Sequence, residues 1–318
     1  MTAEQIQISL FLEIREKMLP YMSLADSIAD LLDISNDSAY RRIRGEKPVT
    51  LEELQILAAH YNISIDRLFN LNDKAFLFQG YLTDENYDSE QWLISLNKIV
   101  QQIKLQQNPH IYYLAKDIPL VYPLQFPVLA AFKDFSRRKS LLSPDRTRRV
   151  KFSVSAVNPS SSVTVTQIVK TYNSIPSTEI WSSECLNSII KQIQFYHYTD
   201  QLSSVDDLRS LYDSIEIMIT HLENQAESGV KYTFGEKPGS EAAGYHLYHN
   251  ELFIGEDTIL ADLGNSKITF LNHSFINYLT TVDESFCSYT FKAIKNIIAR
   301  STPISWAGEK ERRIFLMA

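Results

Sequence analysis

In about the first 72 residues the apolar positions fall into five short runs, each with the three- and four-residue spacing of one helix face. Phe11, Ile14 and Met18 form the first, which stops at Pro20. Leu24, Ile28, Leu31 and Leu32 form the second, with Ser23 placed to cap its first turn. Asp33-Ile34-Ser35 then reads as a tight turn in which Ile34 plugs the inside and Ser35 or Asn36 caps the third helix. That helix starts near Asn36. It turns Ala39 and Ile43 inward and leaves Asp37, Ser38, Arg41, Arg42 and Arg44 mostly outward. Gly45 ends it, Pro48 prevents a restart, and Thr50 with Glu53 makes a capping box for a helix carrying Leu51, Leu54, Leu57 and Ala58. Ser64 caps a last helix with Ile65, Leu68 and Phe69.

The pattern changes after Phe78. Gln79 to Glu90 is polar and acidic, and the boundary between an N-terminal domain, 1–78, and a larger one, 79–318, is placed there. Trp92, Leu96, Ile99 and Ile103 predict a helix from about Ser89 to Gln106. His110 to Ala115 reads as a strand, followed by a Pro-punctuated apolar segment and a helix around Pro127 to Phe135. Val163 to Tyr172 fits strand or helix; Glu184 to Tyr198 and Val205 to Ser228 read as helices. In the last, Leu208, Leu211, Ile215, Met218 and Leu222 alternate by three and four, as in a coiled-coil seam. The repeat lasts little more than two heptads, which favours a core helix over a dimer helix. Tyr245 to Tyr248, Glu251 to Ile254, Thr258 to Leu263 and Lys267 to Leu271 are β-rich runs between turn residues, and their spacing predicts antiparallel hairpins. A helix from about Glu284 to Arg300 comes next. The expected fold is an all-α five-helix domain followed by a larger mixed α+β or α/β domain.

Ile28-Ala29-Asp30-Leu31-Leu32-Asp33-Ile34-Ser35, then Arg41, then Arg44-Gly45, resemble the helix-turn-helix domains of the lambda-repressor-like class (Cro/cI-type, XRE-like). The resemblance covers roughly the first quarter of the chain. Ala25 and Asp33 stand where family members often carry Gln and Gly, and Asp tolerates left-handed turn geometry better than most residues. The resemblance implies that the second helix of the motif enters the major groove. By position Asn36, Asp37, Ser38 and Arg41 are the candidate base readers, while Arg42, Arg44 and Lys47 are placed for phosphates. Asp37 either accepts from cytosine or holds Arg41, four residues on, with the ion pair the favoured of the two.

Composition narrows the rest. Of 318 residues 44% are hydrophobic and 11% aromatic, enough for well-buried cores. Residues 1–75 hold eight Lys and Arg against twelve Asp and Glu, and the whole chain carries −7, so DNA binding would depend on a local positive edge. Lys133 to Lys151 has eight basic residues against two acidic ones. Without interleaved aromatics it reads as an exposed connector rather than a second nucleic-acid contact. Cys185 and Cys287 are isolated, which suggests neither disulfide nor zinc site and fits a reducing cytoplasm. No signal peptide is seen, and the uncharged stretch from Ile118 to Phe132 is 15 residues long, broken by three prolines and too short to span a bilayer.

Neither GxxxxGK[ST] nor GxGxxG occurs. His246 and His249 fall on opposite faces of an expected strand, and nothing around His273 and Cys287 resembles a nucleophile motif. No segment resembles the cleavage site of a self-cleaving Ser/Lys repressor peptidase. No cofactor, metal or catalytic residue is therefore expected. The sequence points to a cytoplasmic transcriptional regulator that binds double-stranded DNA, as a homodimer because a single small module buries little surface. The larger domain is expected to dimerise or to sense a small-molecule or protein effector. The alternative is an enzyme or adaptor domain there, with the helix-turn-helix as a tether.

Overall fold

The computed structural model describes residues 2–18, 22–69, 75–80, 87–142, 144–156, 162–240, 242–251, 255–273 and 277–317. The chain divides into two compact units, Met1–Ala75 and Phe76–Ala318. The expected stop at Pro20 and most of the run Glu251 to Ile254 lie outside the described residues.

The first unit is all-α: α1 (Ala3–Lys17), α2 (Leu24–Leu32), α3 (Asn36–Ile43), α4 (Leu51–Tyr61) and α5 (Ile65–Leu68). Local chemistry sets nearly every boundary. The Ser23 side chain accepts from the Asp26 amide and the Ser35 side chain from that of Ser38, each satisfying a donor that a helix start leaves unpaired. Thr50 and Glu53 form the capping box of α4. Asp33 ends α2 in the left-handed region, φ 52° and ψ 52°, the geometry the sequence anticipates for this turn. The next residue, Ile34, packs against a core built on Leu10, Phe11, Ile14, Ile28, Ala39, Leu57 and Leu68.

The second unit is a mixed α/β domain on one eight-stranded sheet. In chain order its elements are β1 (Gln79–Gly80), α6 (Ser89–Lys104), β2 (His110–Ala115), α7 (Pro127–Leu141), α8 (Pro144–Thr147), α9 (Ser162–Asn173), β3 (Ser177–Trp181), α10 (Ser183–Tyr198), α11 (Val205–Ser228), β4 (Tyr245–His249), β5 (Thr258–Asp262), β6 (Lys267–His273), β7 (Asn277–Thr281), α12 (Glu284–Ile298), β8 (Thr302–Pro303) and α13 (Glu309–Met317), with short 3₁₀ turns at Pro123–Gln125 and Val154–Ala156. The strand order is β1-β7-β6-β5-β2-β3-β4-β8. β2, β3 and β4 run parallel, and β5, β6 and β7 extend the sheet antiparallel from β2.

One sequence expectation changes. β4 does not form a hairpin with β5: it lies parallel beside β3, and the hairpins are β5–β6 and β6–β7. α10 and α11 occupy the long connection that a parallel β3–β4 pair requires. The seam of α11 is an internal one, since Leu211, Ile215, Met218 and Leu222 are buried in the main core, with Leu208 packed against it. Alternation along the strands divides the interior. Tyr113, Ala115, Trp181, Tyr245 and Leu247 face the core that includes α6, α7, α9, α10 and α11, whereas Tyr112, Leu114, Ile180 and Leu260 pack with Ile294 of α12. Among the described residues no helix is long and apolar enough to cross a membrane.

Candidate nucleic-acid interface

Successive residues of α3 project about 100° apart, so Asn36, Asp37, Tyr40, Arg41 and Arg44 fall within about 140° of one another. All five are exposed, while Ala39 is buried and Ser38 and Ile43 are half-buried on the opposite arc. Tyr40 is an addition to the sequence-derived set. It carries neither charge nor amide to mark it, yet it is 51% exposed between Asn36 and Arg44, where the helical spacing alone would have placed it.

Two residues depart from the expected outward set: Ser38, which is half-buried, and Arg42. Arg42 lies on the inner arc at 4% exposure. Its Nε and Nη2 donate to Glu53 Oε2 and Oε1 at 2.9 and 2.6 Å, and Nη1 donates to the Ser38 carbonyl at 3.1 Å. The planar guanidinium thus bridges α3 to the first turn of α4. Glu53 also accepts the Thr50 amide, at 3.0 Å, so one carboxylate caps α4 and clamps α3. The Arg42 hydrogen bonds hold its pKa below the ordinary 4.5 against the opposing effect of burial.

That depression has a pH consequence. A carboxylate whose folded pKa is lowered contributes stability that is complete above the unfolded value and is lost as pH falls through the folded one. Amide-exchange protection of α3 and α4, taken relative to the intrinsic exchange rate at each pH, is therefore expected to be steady from pH 7 to about 5 and to fall below about 4.5. In Glu53→Gln that acid-induced part should disappear; an unchanged acid profile would assign the titration to another group.

The expected pairing of Asp37 with Arg41 is also replaced. Gly45 takes φ 80° and reverses the chain, so that the Glu46 amide bonds the Arg41 carbonyl at 2.8 Å. The Glu46 carboxylate then sits 2.8 Å from Arg44 Nε and 3.9 Å from Arg41 Nε. Exposed pairs of this kind are worth about 0–1 kcal/mol, small enough for a phosphate to displace. Lys47 is exposed just beyond. Gln7 of α1 fixes this loop: its amide nitrogen donates to the carbonyls of Arg42 and Lys47 at 2.7 and 2.8 Å, and its amide oxygen accepts the Val49 amide at 3.0 Å. Nothing in the sequence marks Gln7, because its partners lie 35 to 42 residues away.

Ala25, at the position where Gln is common in the resembled class, is buried at 3%. In the second unit the Cys185 thiol donates to the Ala115 carbonyl, and burial pushes its pKa up to about 12. Cys287 is buried beside Thr269. His246 and His249 do face opposite sides of β4, the first edge-on to Trp306 and the second 2.6 Å from Glu251. Among the described residues no group of three or more His, Cys, Asp or Glu could hold a metal ion.

No curated protein matches the chain. One solved structure, TrmBL2, described as an archaeal chromatin protein with a novel mode of DNA binding, is 9% identical over 94% of this chain and 100% of its own, with a TM-score of 0.25, too low to carry an argument. Residues 14–89 match the family model of the BetR domain. Near its N-terminus the protein carries a helix-turn-helix DNA-binding domain of the BetR type.

Proposed function

We propose that the protein is a sequence-specific transcriptional regulator, acting in the cytoplasm, whose α3 docks in the major groove in the manner of lambda-repressor-like domains. The observation that carries this is the exposed face of Asn36, Asp37, Tyr40, Arg41 and Arg44 within the segment that matches the BetR domain. Asn36, Asp37 and Arg41 read base edges; Arg44, Lys47 and the Tyr40 hydroxyl hold phosphates. Ser38, half-buried on the arc opposite this face, leaves the set of readers that the sequence suggests. Arg42 leaves the contact set, because its charge is committed to Glu53. Residues 1–78 form the DNA-binding domain, and 79–318 dimerise or receive an effector, giving a homodimer that spans two half-sites about one helical turn apart.

Selection of bound sites from random duplex DNA by the full chain tests the reading, and failure to enrich any motif would overturn it. On the selected site Arg41→Ala should cost about 1–3 kcal/mol and relax preference at one position, while Lys47→Ala should weaken all sequences and reduce the salt slope by roughly one. Identical behaviour of the two variants would dissolve the division into readers and anchors. Light scattering of the full chain should give twice the monomer mass of 36.6 kDa, and a monomer would remove the dimer from the proposal.

A further inference from the structure

Two of the eight cations of the basic segment that the sequence suggests is an exposed connector are built into the second unit. Lys133 is buried at 7% and pairs with Asp117, and Arg137, at 9%, lies over the Trp92 ring. What remains is asymmetric: residues 138–151 hold six Lys and Arg and a single acid, Asp145. Where α7 meets α8 this segment closes around a cleft of about 210 Å³. Phe135, Leu142 and Val150 give it apolar walls, and Arg138, Lys139 and Arg146 stand around it. Phe135 is fixed from behind by Phe152 and Tyr196, with ring centroids 5.7 and 5.1 Å away. Val150 stays 51% exposed at the cleft.

The cations are not equivalent. Arg138 pairs with Asp134 at 2.8 Å. Lys139 is half-buried; its ammonium donates to the Thr147 carbonyl at 2.6 Å and lies 5.4 Å from the Phe135 ring centroid, and no carboxylate among the described residues pairs with it. Burial accordingly pulls its pKa below the ordinary 10.5. A partly desolvated cation bonded only to a neutral carbonyl gains most from an arriving anion. The apolar walls reward a hydrocarbon body, and the volume falls below the roughly 300–1,000 Å³ of drug-sized sites.

We propose that this cleft binds a small organic carboxylate, its carboxyl group on Lys139 and Arg146 and its aliphatic or aromatic body against Phe135, Leu142 and Val150. The site lies outside the DNA-binding domain and does not depend on the DNA reading. A duplex offers phosphates but no apolar body, and would leave the walls made by Phe135, Leu142 and Val150 uncovered.

Calorimetric titration of the full chain with octanoate, benzoate, octanol, acetate and inorganic phosphate tests it. Octanoate or benzoate should bind saturably with one site per chain, and octanol, acetate and phosphate should bind at least about tenfold more weakly. Lys139→Met should weaken the carboxylate about tenfold. Should that variant fold poorly, Val150→Glu, at an exposed position, sets a like charge at the cleft and should abolish binding. No saturation by either carboxylate up to about 10 mM overturns the proposal. So does binding that both variants leave intact, or phosphate binding as tightly as octanoate. Loss of DNA affinity in both variants, with no carboxylate bound, also overturns it and assigns the patch to nucleic acid.

Discussion

Replacing Arg42 with Met should lower the stability of the first unit by about 3 kcal/mol, read as a roughly hundredfold loss of amide-exchange protection in α3 and α4 of the full chain. Removing one partner of a buried ion pair costs about 3–5 kcal/mol because the other charge is left behind. Glu53 keeps the Thr50 amide and a side-chain exposure of 16%, which holds the loss to the lower end. Arg42→Lys should fall between, since an ammonium cannot repeat the two parallel bonds to the carboxylate and the third to Ser38. Arg42→Met with Glu53→Gln should recover part of the loss, because Gln still serves the capping box and no charge is stranded. At a temperature where Arg42→Met is folded, its DNA affinity should match that of the unaltered protein, unlike that of Arg41→Ala. A variant that keeps full protection but binds DNA weakly, with a reduced salt slope, would return Arg42 to the phosphate contacts and refute the clamp.

The contrast between Arg41 and Arg42 shows how far the sequence can be read. Ser23, Ser35, Thr50, Glu53 and Gly45 act on atoms a few residues away, so their roles are visible in a string of letters. Arg42 looks like its neighbours until Glu53, eleven residues on, is brought against it. Gln7 is hidden for the same reason, at still longer range. In the second unit the long helices are legible from periodicity and β2 from its Ile and Tyr content, and Val163 to Tyr172 resolves as helix because Ile168, Val169 and Tyr172 bury one stripe that outweighs the β-branched preference. β3 escapes a reading of the sequence altogether, though it lies in the middle of the parallel strands. Ser177-Thr178-Glu179-Ile180-Trp181 has a carboxylate where an apolar strand residue is expected, and only the tertiary surroundings make that tolerable.

Those surroundings give the second large effect, on substitution of Glu179. Glu179 is fully buried; its Oε1 accepts from the hydroxyls of Tyr122, Tyr172 and Ser177 at 2.8, 2.6 and 3.1 Å, and Oε2 accepts from the Trp181 indole at 3.1 Å. Glu179→Leu strands four donors and should cost about 5 kcal/mol, each lost partner being worth about 1–3 kcal/mol before the hydroxyls rotate toward other acceptors. Glu179→Gln can set its carbonyl oxygen among the three hydroxyls, leaving its amide against the indole N–H, and should cost about 2 kcal/mol. Urea unfolding followed by Trp fluorescence orders the three proteins, and a Leu variant as stable as the parent would show that the network contributes nothing. Lys231 supplies an independent check on the buried charge. It is 1% exposed, donates to the Tyr172 carbonyl at 2.9 Å and lies 3.8 Å from that ring. Burial lowers its pKa from 10.5 to about 7, against the opposing pull of Glu179. Between these values the unfolded chain binds more protons than the folded one, so this group makes stability rise with pH across that interval. Without the carboxylate the folded value should drop further, and Glu179→Gln should extend the rise below pH 7, whereas Lys231→Met should remove it. A rise that survives in Lys231→Met would belong to another group and break the link between the buried lysine and the buried carboxylate that makes a polar β3 stable at the centre of the sheet.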